Sequence, residues 1–285
     1  MTITYLILAH SFPGQLERMV LALDHPNVRF IIHVDRRSDP GEFYTPRLRS
    51  LRNLVFMKRR LPINWGGFNM VQATLNMMVK AVNGGEKGYL VLLSGQDYPV
   101  KPASYIYQFL EENYGNEYFE HFEIPAGVWA MNGGMDRISY YWFIDRIGLD
   151  ESIRLYDLQK TGVRTRPYFA DFIPYGGAQW WALTQECADY ILRYLAFNPI
   201  YKDFYESTYI PDEMFFQSIV LNSPLRGNAV NNSLRYIDWK TGPEYPRVLT
   251  VEDVKAMSDS NKLWARKFSG VKDPLVLDRI GEMLS

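Results

Sequence analysis

Two adjacent carboxylates directly after a proline, Asp212 and Glu213, are well suited to take a proton from a weak nucleophile. A sugar hydroxyl is such a nucleophile. Near pH 7 it attacks a carbon centre efficiently only when a carboxylate accepts its proton during the attack. Pro211 and the apolar run after it predict a helix over 211–223, with the proline near its first turn. By spacing alone, the two acids are then more simply a first-turn pair that complements the helix dipole.

Other candidates stand where apolar runs end: Ala9 and His10 after TYLIL, Asp35 after FIIHV, and Asp97 after YLVLLSGQ. An aspartate there caps a turn or hydrogen-bonds the ribose or base of a nucleotide. His10 and Asp35 are the pair that could flank one crevice. No two aspartates lie one residue apart, the spacing with which many nucleotide-sugar transferases hold a divalent ion. His33 and Asp35 have that spacing, but hard cations prefer oxygen ligands to imidazole. The charge growing on a departing diphosphate would then fall to lysine or arginine. Arg266 and Lys267 stand in an apolar frame of Leu263, Trp264 and Phe268, and Arg235 and Arg247 lie upstream; each is otherwise an ordinary surface cation. Trp65-Gly66-Gly67 allows a close backbone approach to a ligand. Trp180-Trp181 offers a sugar-stacking ring, and on a strand only one of the two can face a cleft.

Bringing these residues together requires several strand ends on one side of a sheet. TYLILAH, VRFIIHVD, NLVFM and YLVLLSGQDYPV read as strands. Leu16, Met19, Val20 and Leu23 share a helical face, as do Val71, Leu75, Met78, Val79 and Val82 before the stop at Gly84-Gly85. SYIYQFLEENY is a third helix. This alternation predicts an α/β fold, a parallel sheet with helices on both faces and ligands beyond the carboxyl ends of the strands. Residues 120–180 read as long loops with a few short strands, followed by helices at QECADYILRYLAF and PDEMFFQSIVLNS and a polar tail from about 225. One domain, 1–285, is expected, with 1–120 as the nucleotide-sugar half and 121–285 as the acceptor-binding and catalytic half.

A formal net charge of −1 gives no overall attraction to nucleic acid. The single cysteine, Cys187, excludes an internal disulfide and reads as a buried thiol. The first apolar run ends at His10, too short for a signal sequence or membrane span, so a cytoplasmic location is expected.

Eight stretches in order, YLILAHSFPGQLERMVLAL, FIIHVDRRS, INWGGFNMVQATLNMM, YLVLLSGQDYPVKP, GGAQWWALTQECADYIL, STYIPDEMFFQSIVLNS, LRYIDW and LWARKF, resemble the core-2/I-branching β-1,6-N-acetylglucosaminyltransferase family, which includes the peptide O-xylosyltransferases. They span nearly the whole chain, although none falls in 120–175. The membrane anchor, stem and cysteines of animal members have no counterpart, so the resemblance is to a compact, bacterial-type member. It implies a glycosyltransferase-A type fold with a Rossmann-like sheet, a UDP-sugar donor, inversion at the anomeric carbon, and no metal or other cofactor. It implies Glu213 as general base, Asp35 at the uridine, and Lys267 at the diphosphate with Arg235 as partner, Arg247 or Arg266 being the alternatives. UDP-sugar is then expected across Ala9, His10, Asp35 and the Trp65-Gly66-Gly67 turn, with Asp212 and Trp180 or Trp181 on the acceptor side. The expected donor is UDP-N-acetylglucosamine or UDP-xylose, and the acceptor a glycan or glycolipid of surface-polysaccharide synthesis, with peripheral membrane association through a lipid-linked acceptor. Competing expectations are a metal-dependent enzyme using Asp97 or His33-Asp35, a sugar-binding protein without catalysis, and a nucleotidyltransferase.

Overall fold

The computed structural model describes residues 1–82, 87–162, 165–239 and 246–284, so the Gly84-Gly85 stop lies outside the described residues. Its strands are β1 Thr2–Ala9, β2 Val28–Val34, β3 Leu54–Phe56, β4 Gly88–Ser94, β5 Asp97–Pro99, β6 Glu117–Phe119, β7 Phe122–Glu123, β8 Tyr175–Gly176, β9 Trp181–Thr184, β10 Ala229–Asn231, β11 Arg235–Ile237 and β12 Trp264–Arg266. Seven form the main sheet in the order β10-β6-β9-β4-β1-β2-β3. Every pairing is parallel except those of β9, which runs against both neighbours. The α/β architecture read from the strand–helix alternation is the one observed.

The two-residue period of a strand sorts the apolar side chains onto two faces. Ile3, Tyr5 and Ile7 of β1, with Phe30, Ile32, Val91 and Leu93, pack beneath helices Pro13–Ala22, Ala103–Glu112 and Val276–Leu284. Leu6 and Leu8, with Ile31, Leu90 and Leu92, pack beneath helices Asn69–Val82, Gln185–Phe197 and Phe215–Leu221. Cys187 is in this second layer, a buried free thiol as expected. Because β2 and β3 lie on one side of β1 and β4 on the other, the chain reverses its winding between β1 and β4. A crevice opens at such a switch point, beyond the carboxyl ends of the strands. Gln15 of the first helix ties that place together, donating to the carbonyl of Gly95 at 3.1 Å.

Four regions differ from the sequence expectation. YLVLLSGQDYPV breaks into β4 and β5, because the buried Asp97 carboxylate turns back to accept the Ser94 N–H at 3.1 Å. The second piece joins a three-stranded sheet, β11-β12-β5. Residues 120–180 hold helices as well as loops, the longest Leu149–Lys160, which buries only Ser152 and so leaves no apolar periodicity to read. The polar tail contributes β11 and β12. The helix over 211–223 is two pieces: a 3₁₀ turn, Pro211–Glu213, and helix Phe215–Leu221, broken at Met214 (φ −136°, ψ −33°). Asp212 and Glu213 therefore precede the α-helix and are not first-turn dipole partners. Among the described residues no helix is long and apolar enough to cross a membrane.

Candidate active site

A cavity of about 560 Å³ opens beyond the ends of β1, β2 and β4. One part of its wall is His10, Asp35, Arg37, Ser38 and Ile63; another is Trp65, Trp180, Asp212 and Glu213; Ala9, Ser94 and Gln96 form strand-end floor, and Arg266 and Lys267 complete it.

Glu213 is held by an arginine that the sequence did not single out. Arg137 Nη1 donates to Glu213 Oε2 at 2.7 Å. Arg137 is itself fixed by Trp129, whose ring lies 3.6 Å from the guanidinium carbon. That ring packs so tightly on Gly134 (φ +90°) that a Cβ there would stand 2.5 Å from it. Burial raises the Glu213 carboxyl above its ordinary range, and Arg137 opposes that rise without cancelling it. Asp212 beside it is buried, with Oδ1 lacking any hydrogen-bond partner. Burial first, and the neighbouring Glu213 charge second, push its carboxyl up to about 7. Gly66 (φ +75°) brings the Trp65 turn against this pair, its carbonyl accepting from the Ile210 N–H at 3.0 Å.

The cations come from the small sheet. Pairing of β12 with β5 sets Arg266 opposite Asp97, and the two side chains form a buried ion pair at 3.3 Å. The Arg266 guanidinium lies over the Trp180 ring, 3.9 Å from its centroid. Lys267 follows it into the cavity wall and forms no ion pair among the described residues; burial and then Arg266 lower its ammonium pKa.

Asp35 is fully occupied by the protein. Its Oδ1 accepts from the Arg37 backbone N–H at 2.8 Å and from Arg37 Nε at 3.2 Å; its Oδ2 accepts from Arg37 Nη2 at 3.0 Å and the Ile63 N–H at 2.9 Å. Burial alone would raise this carboxyl, but these bonds outweigh it and hold the group below its ordinary value. His33 is engaged as well, Nε2 accepting the Leu61 N–H at 2.9 Å, while burial pushes the ring down to about 4 and keeps it neutral.

Four of the candidate residues are not in the wall. Arg235 is buried behind it: its guanidinium donates to the carbonyls of Ser233 and Leu92 and lies 5.1 Å from the Trp264 ring. Gly67 backs onto Asp145, where a Cβ would meet a carboxylate oxygen at 2.5 Å; it serves the start of helix Asn69–Val82, whose Asn69 N–H bonds that carboxylate at 2.7 Å. Trp181 takes the core side of β9, against Phe216, and strand alternation leaves Trp180 for the cavity. Arg247 is spent on Asp238 and Asp253.

A sequence profile of the Core-2/I-Branching enzyme family matches residues 3–258. The chain belongs to this family. Xylosyltransferase 2 of Canis lupus familiaris is 27% identical over 244 residues, covering 83% of this chain and 26% of that protein. Beta-glucuronosyltransferase GlcAT14B of Arabidopsis thaliana is 26% identical and covers 99% of this chain and 66% of that protein. The chain thus spans about a quarter of the length of the xylosyltransferases it matches. Among solved structures, mouse xyloside xylosyltransferase 1 aligns over 93% of this chain and 97% of that one at 10% identity and a TM-score of 0.41, too distant to carry an argument. In this Core-2/I-Branching chain the eight recognised stretches supply most of the cavity wall. Arg137 comes from the interval where none of them falls. Its only trace in sequence is the Gly133-Gly134 pair just before it, a sign of constrained backbone.

Proposed function

We propose that this Core-2/I-Branching chain is an inverting glycosyltransferase that moves a sugar from UDP to a glycan hydroxyl, with side-chain cations rather than a metal balancing the diphosphate. The acceptor oxygen forms a bond to the anomeric carbon as the bond from that carbon to the phosphate oxygen breaks. The acceptor proton passes to Glu213. The negative charge gained by UDP is balanced by Arg266 and Lys267, with Arg266 replacing Arg235 in the expected pair. Trp180, clamped by Arg266, joins Asp212 and Trp65 on the acceptor side.

One observation carries the reading: a single cavity holds a half-buried carboxylate whose proton affinity is raised and two cations suited to a leaving phosphate. Asp35 and Asp97, the carboxylates a metal-dependent mechanism would use, are each already bound to an arginine. N-acetylglucosamine and xylose remain the proposed donor sugars, and the named relatives add glucuronic acid. A cytoplasmic location and a surface-polysaccharide product belong to the same proposal.

The test is a panel of UDP-sugars incubated with glycan acceptors in EDTA, with UDP release as the readout. Turnover with one donor, reduced about a hundredfold or more in Glu213→Gln, is the expected result. A strict manganese requirement, or release of pyrophosphate from a sugar-1-phosphate and a nucleoside triphosphate, would overturn it.

A further inference from the structure

The chain's near-neutral total hides a segregation of charge. Residues 29–60 hold nine Arg and Lys against three Asp and Glu, in a chain whose formal net charge is −1. The fold puts them along one border of the molecule. β3 is an edge strand of the main sheet, at the opposite side from β10. Arg47 and Arg49 lie on the short helix Pro46–Ser50 that leads to it, Arg52 in the intervening turn, and Lys58 and Arg59 directly after it. Arg36 joins them from the turn after β2, where its N–H bonds the Leu61 carbonyl at 3.1 Å. All six side chains are exposed.

The carboxylates nearby are mostly committed. Asp35 is locked to Arg37, Asp39 caps the turn at Gly41, and Asp24 accepts from Asn53. Glu17 reaches Arg47 at 3.6 Å, and Glu42 is exposed. Among the described residues, Arg36, Arg52, Lys58 and Arg59 form no ion pair. Charges beside an edge strand do discourage strand addition. One or two cations next to β3 would serve that purpose, whereas these six span a helix, two turns and the strand's far end.

We infer that this border is a docking surface for an anionic lipid bilayer. Apolar groups are interleaved with the cations. Val55 of β3 is 41% exposed, the half-buried rings of Tyr44 and Phe56 pack 4.4 Å apart, and the Arg49 guanidinium lies 5.8 Å from the Tyr44 centroid. A headgroup layer offers phosphate to arginine and a partly apolar medium to valine and the aromatic edges. A dissolved polyanion would use the charges alone. Arg37 and Ser38, next to Arg36, also line the cavity, so the bound enzyme would hold its donor side close to the surface.

The experiment is co-sedimentation with vesicles of phosphatidylcholine containing about 30 mol% phosphatidylglycerol, against pure phosphatidylcholine, in about 0.1 M salt, where exposed charges still act over roughly 10 Å. The chain should sediment with the anionic vesicles only and be released by about 0.5 M salt. Arg49→Glu, Arg52→Glu, Lys58→Glu and Arg59→Glu together should weaken binding about a hundredfold or more, with the melting temperature unchanged. The corresponding four-alanine variant gives the readout if the reversed chain does not fold. Equal binding to both vesicles, undiminished binding by the variants, or capture by heparin without any by vesicles would overturn the inference. No donor sugar enters this measurement, so its failure leaves the transferase reading standing, and the reverse.

Discussion

Asp35 and Asp212 are buried carboxylates in the wall of one cavity, and the fold treats them in opposite ways. Burial pushes both upward. At Asp35, Arg37 and two backbone N–H groups supply four hydrogen bonds and win. At Asp212, one oxygen has no partner and the nearest charge is another carboxylate, so burial wins. An unpartnered buried acceptor costs about 1–3 kcal/mol, a cost that Asp35 avoids and Asp212 bears. The wall around Asp35 is thus finished by the protein itself, whereas Asp212 and Glu213 keep the raised proton affinity that the proposed transfer to an acceptor hydroxyl requires. A related contrast separates the cations: Arg235 donates to two carbonyls behind the wall, while Lys267 stands in it without an ion pair among the described residues.

The largest effect expected from breaking this contrast is at Glu213. Glu213→Gln keeps the shape and the bond to Arg137 but removes the base, so kcat should fall by a factor of about 10² or more while UDP still binds by calorimetry. Unchanged turnover would return the pair to a structural role. Next comes the comparison of cations. Lys267→Ala should lower kcat about a hundredfold and leave the melting temperature nearly unchanged. Arg235→Ala should do the opposite, costing about 3 kcal/mol of stability, because the charges of Arg266 and then Arg235 offset the burial of Asp97 and the variant removes the second. Reversed outcomes would put Arg235 back at the diphosphate.

A smaller effect is expected at Arg137, and it is read in pH rather than in rate alone. Arg137 holds the Glu213 carboxyl down against burial. In Arg137→Met that opposition is lost, Glu213 protonates at higher pH, and the acid side of the kcat–pH profile should move upward with about a tenfold loss near neutrality. A profile that keeps its position while its height falls would mean that Arg137 only supports the fold.

Most of the strand-end wall was legible in sequence because local rules govern it. Apolar runs of strand length ending on His10, Asp35 and Ser94 announce a parallel sheet, and its strand ends are where ligands collect. That Trp180 and Trp181 take opposite sides was legible from alternation, but which of them faces the cavity was not. The surroundings of Glu213 were not legible, since their key bond joins residues 76 positions apart, Arg137 and Glu213, and Arg137 lies on a five-residue helix, Met135–Ser139, too short to show periodicity. Arg235 and Arg266 were equivalent as letters. Only the pairing of two three-residue strands, too short to show periodicity, turns Arg266 into the cavity and Arg235 behind it. The break at Met214 was equally hidden, because Pro-Asp-Glu before an apolar run fits a continuous helix as well as a 3₁₀ turn.

Asp212 provides the finest test, one of stability. Its carboxyl titrates near 7 in the folded chain and near 3.8 when exposed in the unfolded one. Below pH 4 both states hold the proton, and the burial costs nothing through this group. Between about 4 and 7 the folded chain keeps a proton that the unfolded chain gives up readily, so stability falls as pH rises through that window. Above 7 the full penalty is present. Asp212→Asn removes this dependence, so its melting temperature should match the wild type near pH 4 and exceed it by several degrees at pH 8, at about 2–4 °C per kcal/mol for a chain of this size. The difference between the two melting curves, followed by calorimetry across that range, isolates Asp212 and the Glu213 coupled to it from every other titrating group. Curves that stay parallel would mean that Asp212 finds a partner in solution, and the contrast with Asp35 would then be one of degree.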